Sequence, residues 1–169
     1  PGETGDGLSV RGLQASYDRT AVWEQVSFSA PRGQITAITG HNGAGKTTLA
    51  RCLCGLMKEK TGTILWDGKP ASRKERKRLG FLIMQDVNLQ LFADSVLAEA
   101  QLGNGANEME AMAALERMDL AQYVQAHPLA LSGGQKQRLA IVDGCLSGKE
   151  LLIFDEPTSG LDYAHMLEV

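Results

Sequence analysis

The stretch Gly40-His41-Asn42-Gly43-Ala44-Gly45-Lys46-Thr47 decides the fold, because its glycines, lysine and threonine have the spacing of a phosphate-binding loop. Glycines reach backbone conformations that are closed to other residues, and they leave room for an anion. The amides of such a turn converge on a phosphate group. We therefore predict a nucleotide site whose contacts come from Gly40, Asn42, Gly43, Ala44, Gly45, Lys46, Thr47 and Thr48. The alternative is a glycine-rich turn that matches by chance.

The sequence on either side of this loop predicts a strand, the loop and then a helix. Residues 35–39 are apolar or β-branched, which indicates a buried strand. After the loop, apolar residues recur at the spacing of an amphipathic helix, namely Leu49, Cys52, Leu53 and Leu56. The N-terminal end of this helix favours an anion. Lys46 can reach the β- and γ-phosphates, and the Thr47 hydroxyl suits Mg²⁺.

An acidic pair follows an apolar run near the end of the chain. Residues 151–154 read Leu-Leu-Ile-Phe, which predicts a central parallel strand covered on both faces. Asp155 then falls at the C-terminal end of the strand, where open α/β sheets bind ligands, and a carboxylate there can hold Mg²⁺. Glu156 is placed to polarise the water that attacks the γ-phosphorus. The alternative is a polar strand exit that Pro157 ends.

The motif Leu131-Ser132-Gly133-Gly134-Gln135 predicts the start of another helix. Ser132 is a suitable N-cap, and the two glycines leave the first-turn amides uncovered. Such a helix end attracts phosphate. Taken alone, the Ser-Gly-Gly run would be interpreted as a loop. A fourth motif, Ser159-Gly160-Leu161-Asp162, closes the set.

From about Leu8 to its last residue, the chain resembles the ATP-binding cassette (ABC) ATPases, which carry these four motifs in this order. The resemblance implies that two copies bind head to tail with two ATP molecules between them. Each copy then presents the helix start formed by Ser132, Gly133, Gly134 and Gln135 to the ATP of the second copy. Asp162 is also predicted to bind ATP. It also implies that Glu156 is the general base and Asp155 a Mg²⁺ ligand.

Two weaker positions fit the same resemblance. Tyr17 stands where the family places an aromatic ring against adenine, although packing within a strand is the alternative. Gln85 follows the apolar run of residues 81–84. In the family this glutamine contacts Mg²⁺ and the attacking water, so we predict a catalytic and metal-binding role. A polar strand end is the alternative for Gln85.

The predicted fold class is α/β, a phosphate-loop core with a mixed or parallel sheet, antiparallel N-terminal strands and an inserted helical subdomain. We predict the core over residues 1–85, the helical subdomain over 86–150 and the return to the core over 151–169. Strand-like runs flank Asp18-Arg19-Thr20, and Asp67-Gly68 indicates a hairpin turn. The histidine that contacts the γ-phosphate in the family matches no position, so we expect a C-terminally truncated domain.

Composition limits the function classes. The chain has 169 residues, 43% of them hydrophobic, and a net charge of −3, so we expect a globular protein and no nucleic-acid partner. The basic run of residues 73–78 indicates a solvated surface segment. No run approaches the ~20 apolar residues of a membrane span. The three cysteines suit a reducing cytosol, and Cys52 is expected in the core.

A finer resemblance covers residues 85–92, Gln-Asp-Val-Asn-Leu-Gln-Leu-Phe, followed by Ser95-Val96. It is similar to the ATPases of energy-coupling factor importers, which take up vitamins or metal ions. The resemblance implies a transmembrane partner that contacts residues 86–92, and a cytoplasmic protein peripheral to the membrane. The alternative for Leu89, Leu91 and Phe92 is packing within the helical subdomain. Alternatives for the whole chain are a soluble ABC ATPase that acts on DNA or ribosomes and a nucleotide-binding fragment without activity.

Two adjacent residues also depart from the family pattern. Asp143-Gly144 lies in the helix predicted after Ser132, where small apolar residues are usual. Glycine inside a helix costs about 1 kcal/mol relative to alanine. We expect this departure to affect packing and not the nucleotide site.

Overall fold

The computed structural model describes residues 6–17 and 20–155, and the chain divides into two compact units, Pro1–Gly80 and Phe81–Val169. The strands of the described residues are β1 (Gly7–Tyr17), β2 (Thr20–Pro31), β3 (Thr61–Trp66), β4 (Lys69–Pro70), β5 (Gly80–Ile83) and β6 (Leu151–Phe154). The helices are α1 (Lys46–Leu53), α2 (Arg73–Leu79), α3 (Val96–Ala100), α4 (Glu108–Arg117) and α5 (Gly133–Leu146). Short 3₁₀ turns cover Val87–Leu89, Ala121–Tyr123 and Pro128–Ala130.

The first unit is built on an antiparallel sheet with the strand order β2-β1-β3-β4. Apolar side chains of β1 point into its core, where Leu8, Val10, Leu13 and Ala15 are buried. The turn between β3 and β4 has positive φ at Asp67 and Gly68, which matches the right-handed twist of a tight hairpin. The predictions of two strands before residue 31 and of a hairpin at Asp67-Gly68 are therefore confirmed.

The strand predicted over residues 35–39 is wrong. Residues 34–41 have no regular secondary structure and are all exposed, and the side chain of Ile35 is 93% exposed. An apolar, β-branched run forms a strand only when a neighbouring strand accepts its hydrogen bonds and covers its side chains. The residue pattern indicates that the run favours a strand conformation, but it does not show whether a neighbouring strand lies beside it.

Helix α1 buries one face in the first unit. Leu49, Cys52 and Leu53 are buried as predicted, so the core position of Cys52 is confirmed. The predicted fourth position is wrong, because α1 ends at Leu53 and Leu56 lies beyond it, largely exposed. Burial, together with the charge of Glu59, raises the pKa of Cys52 to about 11 although Arg76 lowers it. The Cys52 thiol is therefore a packing group and not a nucleophile.

The basic run forms α2, and one of its arginines corrects the prediction of a fully solvated segment. Arg76 is buried, donates to the Cys52 carbonyl at 2.8 Å and pairs with the Glu59 carboxylate at 2.7 Å. Burial is the largest single influence and raises the pKa of Glu59, but the Arg76 hydrogen bond, a backbone hydrogen bond and the charges of Arg76 and Arg73 together lower it below its usual range. The other residues of the run are exposed or half-buried. A charge pattern alone does not distinguish the arginine that has a buried partner.

The second unit is mainly helical. Its largest core cluster joins α3, α4 and α5 through Leu91, Val96, Ala100, Ala111, Leu115, Leu120, Leu131, Leu139 and Val142. Within the predicted helical subdomain, Met112, Leu115 and Met118 recur at helical spacing, and α4 covers the first two and ends one residue before Met118. Strands β5 and β6 pair in a separate sheet. All residues of β6 are half-buried, so the prediction that it is covered on both faces is wrong.

Gly144 of α5 has a packing role, as the departure from the family pattern suggests. A Cβ atom built at Gly144 would lie 3.3 Å from Cδ1 of Ile83 and 3.4 Å from Cδ1 of Phe81. The distance to Ile83 is tighter than most Cβ contacts and the distance to Phe81 is ordinary contact, so a side chain at position 144 would require the Ile83 side chain to shift by a few tenths of an ångström. The close packing at this position opposes the loss of helix stability that glycine causes relative to alanine.

Asp143 places a carboxyl group in the apolar part of α5. Its Oδ1 atom is buried and has no hydrogen-bond partner among the described residues. Burial, and to a smaller degree the charge of Glu99, raises the pKa of Asp143 from 3.8 to about 8. Between these two values the unfolded chain has released the proton and the folded chain keeps it. The free energy of unfolding therefore falls as pH rises from about 4 to about 8.

Asp143→Asn should remove this pH dependence, because the amide keeps the shape of the carboxyl group and does not titrate. We expect the variant to be more stable than the unmodified protein at pH 8, by an amount on the order of a few kcal/mol. The difference should shrink towards pH 4. Urea unfolding between pH 4 and pH 8 measures it. Glu116→Gln, at an exposed position on α4, is the matched control, and stability curves of the two Asp143 forms that stay parallel would contradict the assignment.

Candidate nucleotide-binding site

The predicted phosphate-binding loop connects the irregular segment 34–41 to α1. Gly43 and Gly45 have φ of +83° and +87°, a left-handed conformation that other residues rarely adopt. The amide of Ala44 donates to the His41 carbonyl at 3.1 Å, which closes the turn. A Cβ atom on Gly40 would lie 3.2 Å from Cβ of Ala44, so a side chain there would crowd the turn. The loop prediction is therefore confirmed in its backbone conformation.

Lys46 lies back over this loop. Its ammonium group donates to the Gly40 carbonyl at 2.9 Å and to the His41 carbonyl at 3.2 Å. Two carbonyl groups thus hold a mobile cation at the edge of the turn, where an incoming phosphate can replace them as its partner. Thr47 is exposed in the first turn of α1, and Thr48 beside it is half-buried. These neighbours place hydroxyl and ammonium groups together at the positive end of a helix.

The sequence reasoning missed one residue that contacts this loop. Trp23 of β2 is half-buried, and its indole N–H donates to the Gly45 carbonyl at 3.3 Å. The two residues are 22 positions apart, so no local pattern could pair them. The sequence offered only one hint, that Trp23 is an aromatic residue on the strand that follows Tyr17. Aromatic residues are common in strands, so this hint does not indicate a contact with the loop. Tyr17 is the last residue of β1, but its side chain is not among the described parts of the structure, so its contact with adenine stays a prediction.

The helix start predicted at Ser132 is confirmed. Ser132 is the N-cap of α5, its Oγ accepts from the Gln135 amide, and its own amide donates to Oε1 of Gln135 at 2.8 Å. This reciprocal pair is a capping box. Ser132 and Gly133 are exposed, whereas Gly134 and Gln135 are half-buried. Their contact with ATP stays a prediction.

The residues after β5 and β6 lie at one end of the small sheet. The Asp155 amide donates to the Ile83 carbonyl at 2.9 Å, so the C-terminal ends of the two strands are adjacent. Asp155 is 8% exposed, and Gln85 is exposed two residues beyond β5. Gln90 ties the segment after β5 to the strand. The Met84 amide donates to Oε1 of Gln90, and Nε2 of Gln90 donates to the Leu82 carbonyl. The structure thus brings Gln85 and Asp155 to the same sheet end.

The other predicted site residues are divided between the two compact units or fall outside the described part of the chain. Glu156 and Asp162 lie outside the described residues. Residues 40–48 belong to the first compact unit, whereas Gln85, the α5 start and Asp155 belong to the second. Over residues 6–17 and 20–155, no three His, Cys, Asp or Glu side chains gather as a metal site. In that part of the chain no helix has the length and apolar character to cross a bilayer.

The exposures of the three apolar residues after Gln85 separate the two interpretations of this segment. Leu91 is 5% exposed and belongs to the helical core, as the packing alternative predicts. Leu89 and Phe92 are 64% and 75% exposed, so packing within the unit does not explain them. Glu99 fixes the segment by accepting from the Phe92 amide at 2.7 Å. Leu89 and Phe92 also line a cavity of about 410 Å³.

Comparison with known proteins shows the family. The family model described as ABC transporter matches residues 23–159. A protein of Treponema denticola described as an ABC transporter ATP-binding protein is 50% identical over 97% of this chain and 34% of its own length. The HMP/thiamine import ATP-binding protein YkoD of Bacillus subtilis is 38% identical over 92% of this chain and 29% of its own length. The chain thus spans about a third of the length of the curated relatives it matches.

Solved structures agree in fold. The structure of cbiO1 from Clostridium perfringens, described as part of the ABC transporter complex cbiONQ, has a TM-score of 0.81 and 32% identity. The match covers 96% of this chain and 70% of the cbiO1 chain. A bacterial Atm1-family ABC exporter with ATP bound has a TM-score of 0.86 and 29% identity over 97% of this chain and 31% of its own length. This chain therefore belongs to the ABC transporter family and has the mixed α/β fold of its ATP-binding domains.

Proposed function

We propose that this chain is the ATP-binding and ATP-hydrolysing part of a protein that powers a membrane transporter. The observation that carries the proposal is the ammonium group of Lys46, which two loop carbonyls hold at the N-terminal end of α1. Positive φ at Gly43 and Gly45 opens the backbone of the same loop to an anion. A loop of this kind binds the phosphates of a nucleotide by its amides, its lysine and the helix end.

The remaining roles follow from the family and extend the proposal. Thr47, Gln85 and Asp155 offer hydroxyl, amide and carboxylate oxygens, which are the ligand types that Mg²⁺ prefers, so this donor set fits the metal. Bound Mg²⁺ neutralises charge on the transferred phosphoryl group. Glu156 acts as general base, and Tyr17 stacks on adenine. A second copy contributes Ser132, Gly133, Gly134 and Gln135 to the same nucleotide, and Asp162 also binds ATP.

We further propose that the transporter is an importer of the energy-coupling factor type. The run of residues 85–92 supports this subgroup, as do the relatives named for thiamine import and for the cbiONQ complex. The exposed side chains of Leu89 and Phe92 give a transmembrane subunit an apolar surface to bind. The transported molecule would then be a vitamin or a metal ion, and the protein would lie at the cytoplasmic face of the membrane.

Replacing both Leu89 and Phe92 by Ser should release the transmembrane subunit. The apolar area that each residue contributes to binding is lost, whereas the fold keeps Leu91 in its core. The whole protein is affinity-purified from detergent-solubilised membranes of its own host. The amount of transmembrane subunit per ATPase is then measured together with ATP-dependent phosphate release. Retention should fall at least about tenfold, since two buried apolar side chains contribute roughly 3 kcal/mol or more.

Met109→Ser is the matched control, because Met109 is 79% exposed on α4 and lies outside the segment. Equal retention in the control and the double variant would contradict the assigned surface. Phosphate release by the unmodified protein without any transmembrane subunit would instead favour a soluble ABC ATPase.

A further inference from the structure

We propose that Trp23 is a positioning residue for the phosphate-binding loop, and that its indole N–H holds the Gly45–Lys46 peptide so that the Lys46 amide faces the phosphate. The inference rests on the nucleotide site proposed above. It assigns a role to a residue that neither the motif of residues 40–47 nor the aromatic position at Tyr17 includes.

The Gly45 carbonyl has two donors. The indole N–H of Trp23 lies 3.3 Å from it, and the Leu49 amide donates to it at 2.9 Å in the first helical bond of α1. The helical bond directs the carbonyl along the helix axis, and the indole N–H gives it a second restraint. Because Trp23 belongs to β2 and pairs with Ala15 of β1, this restraint comes from the antiparallel sheet.

The orientation of one carbonyl decides the orientation of the next amide. In a planar trans peptide the C=O and N–H bonds point in opposite directions. No cis peptide occurs among the described residues, so this geometry holds for the Gly45–Lys46 bond. With its carbonyl directed into α1, this peptide presents the Lys46 amide outward from the helix start. An anion approaches that end of a helix because its first amides have no partner within the helix.

The Gly45–Lys46 peptide needs such a restraint because Gly45 is conformationally free. Gly45 has φ of +87°, and a glycine explores more backbone conformations than any other residue. A peptide next to it that rotates freely must lose this freedom when phosphate binds, which weakens binding. A hydrogen bond from a half-buried strand residue lowers that cost before the ligand arrives. Trp23 therefore acts through the backbone and not by contact with the nucleotide.

Trp23→Phe tests the role, because phenylalanine keeps an aromatic ring and removes the N–H donor. Mg²⁺-dependent binding of ATP and of inorganic tripolyphosphate, which has no adenine, is measured by calorimetry on the whole protein. We expect both affinities to fall by a similar factor of about five, the size of one neutral hydrogen bond. Trp66→Phe is the matched control, because its ring contacts the Arg32 guanidinium at 4.7 Å instead of the loop.

The two ligands separate the possible results. A loss of ATP affinity with unchanged tripolyphosphate affinity would mean that Trp23 contacts adenine, and it would overturn the positioning role. Unchanged affinity for both ligands would overturn it as well while leaving the proposed function intact. If the unmodified protein bound neither ligand, the proposed function and this inference would both fail.

A second measurement covers the case in which Trp23→Phe does not fold. The Trp23 indole N–H is identified in the nitrogen-proton NMR spectrum of the ¹⁵N-tryptophan-labelled whole protein as the one indole signal that a Trp23→His variant lacks. Saturating tripolyphosphate with Mg²⁺ should shift this signal, because the peptide that accepts its hydrogen bond gains a phosphate on the other side. An unchanged Trp23 signal at saturation would overturn the proposal.

Discussion

Glu156→Gln in the whole protein should slow ATP hydrolysis by about 10²–10⁴-fold and leave ATP binding nearly unchanged. The amide keeps the size of the side chain but cannot accept the proton of the attacking water. Glu156 directly follows Asp155, which the structure places at the end of β6. Steady-state phosphate release at saturating Mg·ATP measures the chemical step, and equilibrium binding of ATP measures the site.

The control for this prediction is Glu150→Gln. Glu150 directly precedes β6, so the same chemical change is made at the opposite end of the same strand. Its turnover should stay within about twofold of the unmodified protein, as expected for a change that removes no group from the reaction. Near-normal turnover by the Glu156 variant would refute its assignment as general base and return it to the role of a polar strand exit.

Lys46→Ala should weaken ATP binding by about 10- to 100-fold, because the variant loses a charge-assisted bond to phosphate. The ammonium group also stabilises the empty loop through the Gly40 and His41 carbonyls, so the loop itself should become less ordered. The affinity for ADP should fall less than that for ATP, since Lys46 is assigned to the β- and γ-phosphates. Competition binding with both nucleotides in the presence of Mg²⁺ measures the two losses.

Lys58→Ala is the matched control, because Lys58 is an exposed lysine shortly after α1 in the same unit. It removes one positive charge without touching the loop. If both lysine variants weakened ATP binding equally, the effect would come from the general field of the protein, and the specific role of Lys46 would fall.

Several features could be predicted from the sequence because a few neighbouring residues decide them. Glycine spacing in residues 40–47 predicted the loop, and the structure has the left-handed backbone there that only glycine adopts readily. Ser132 with Gln135 three residues later predicted a cap, and both capping bonds are present. The turn at Asp67-Gly68 followed from the same kind of local chemistry.

The failed predictions concern burial and pairing, which depend on distant residues. The apolar run of residues 35–39 has the pattern of a strand, yet it lies exposed without regular structure. The two alternatives for residues 89–92 depend on burial in the same way, because Leu91 and Phe92 are adjacent and both apolar, but only Leu91 is buried. Arg76 lies in a run that looked solvated and is buried against Glu59. In each case the identity of the residue does not show whether a distant part of the chain covers its side chain.

By itself, therefore, the sequence determined the family, the phosphate-binding loop and the capped helix start, because backbone conformation and local hydrogen bonds arise within a few residues. Only the tertiary structure decided that the Trp23 indole reaches the Gly45 carbonyl and that Phe92 faces outward. It also decided that Asp143 has a buried oxygen without a partner among the described residues. The physical reason is that these properties depend on which surfaces meet. Packing between segments far apart in the chain determines that, and a local pattern does not.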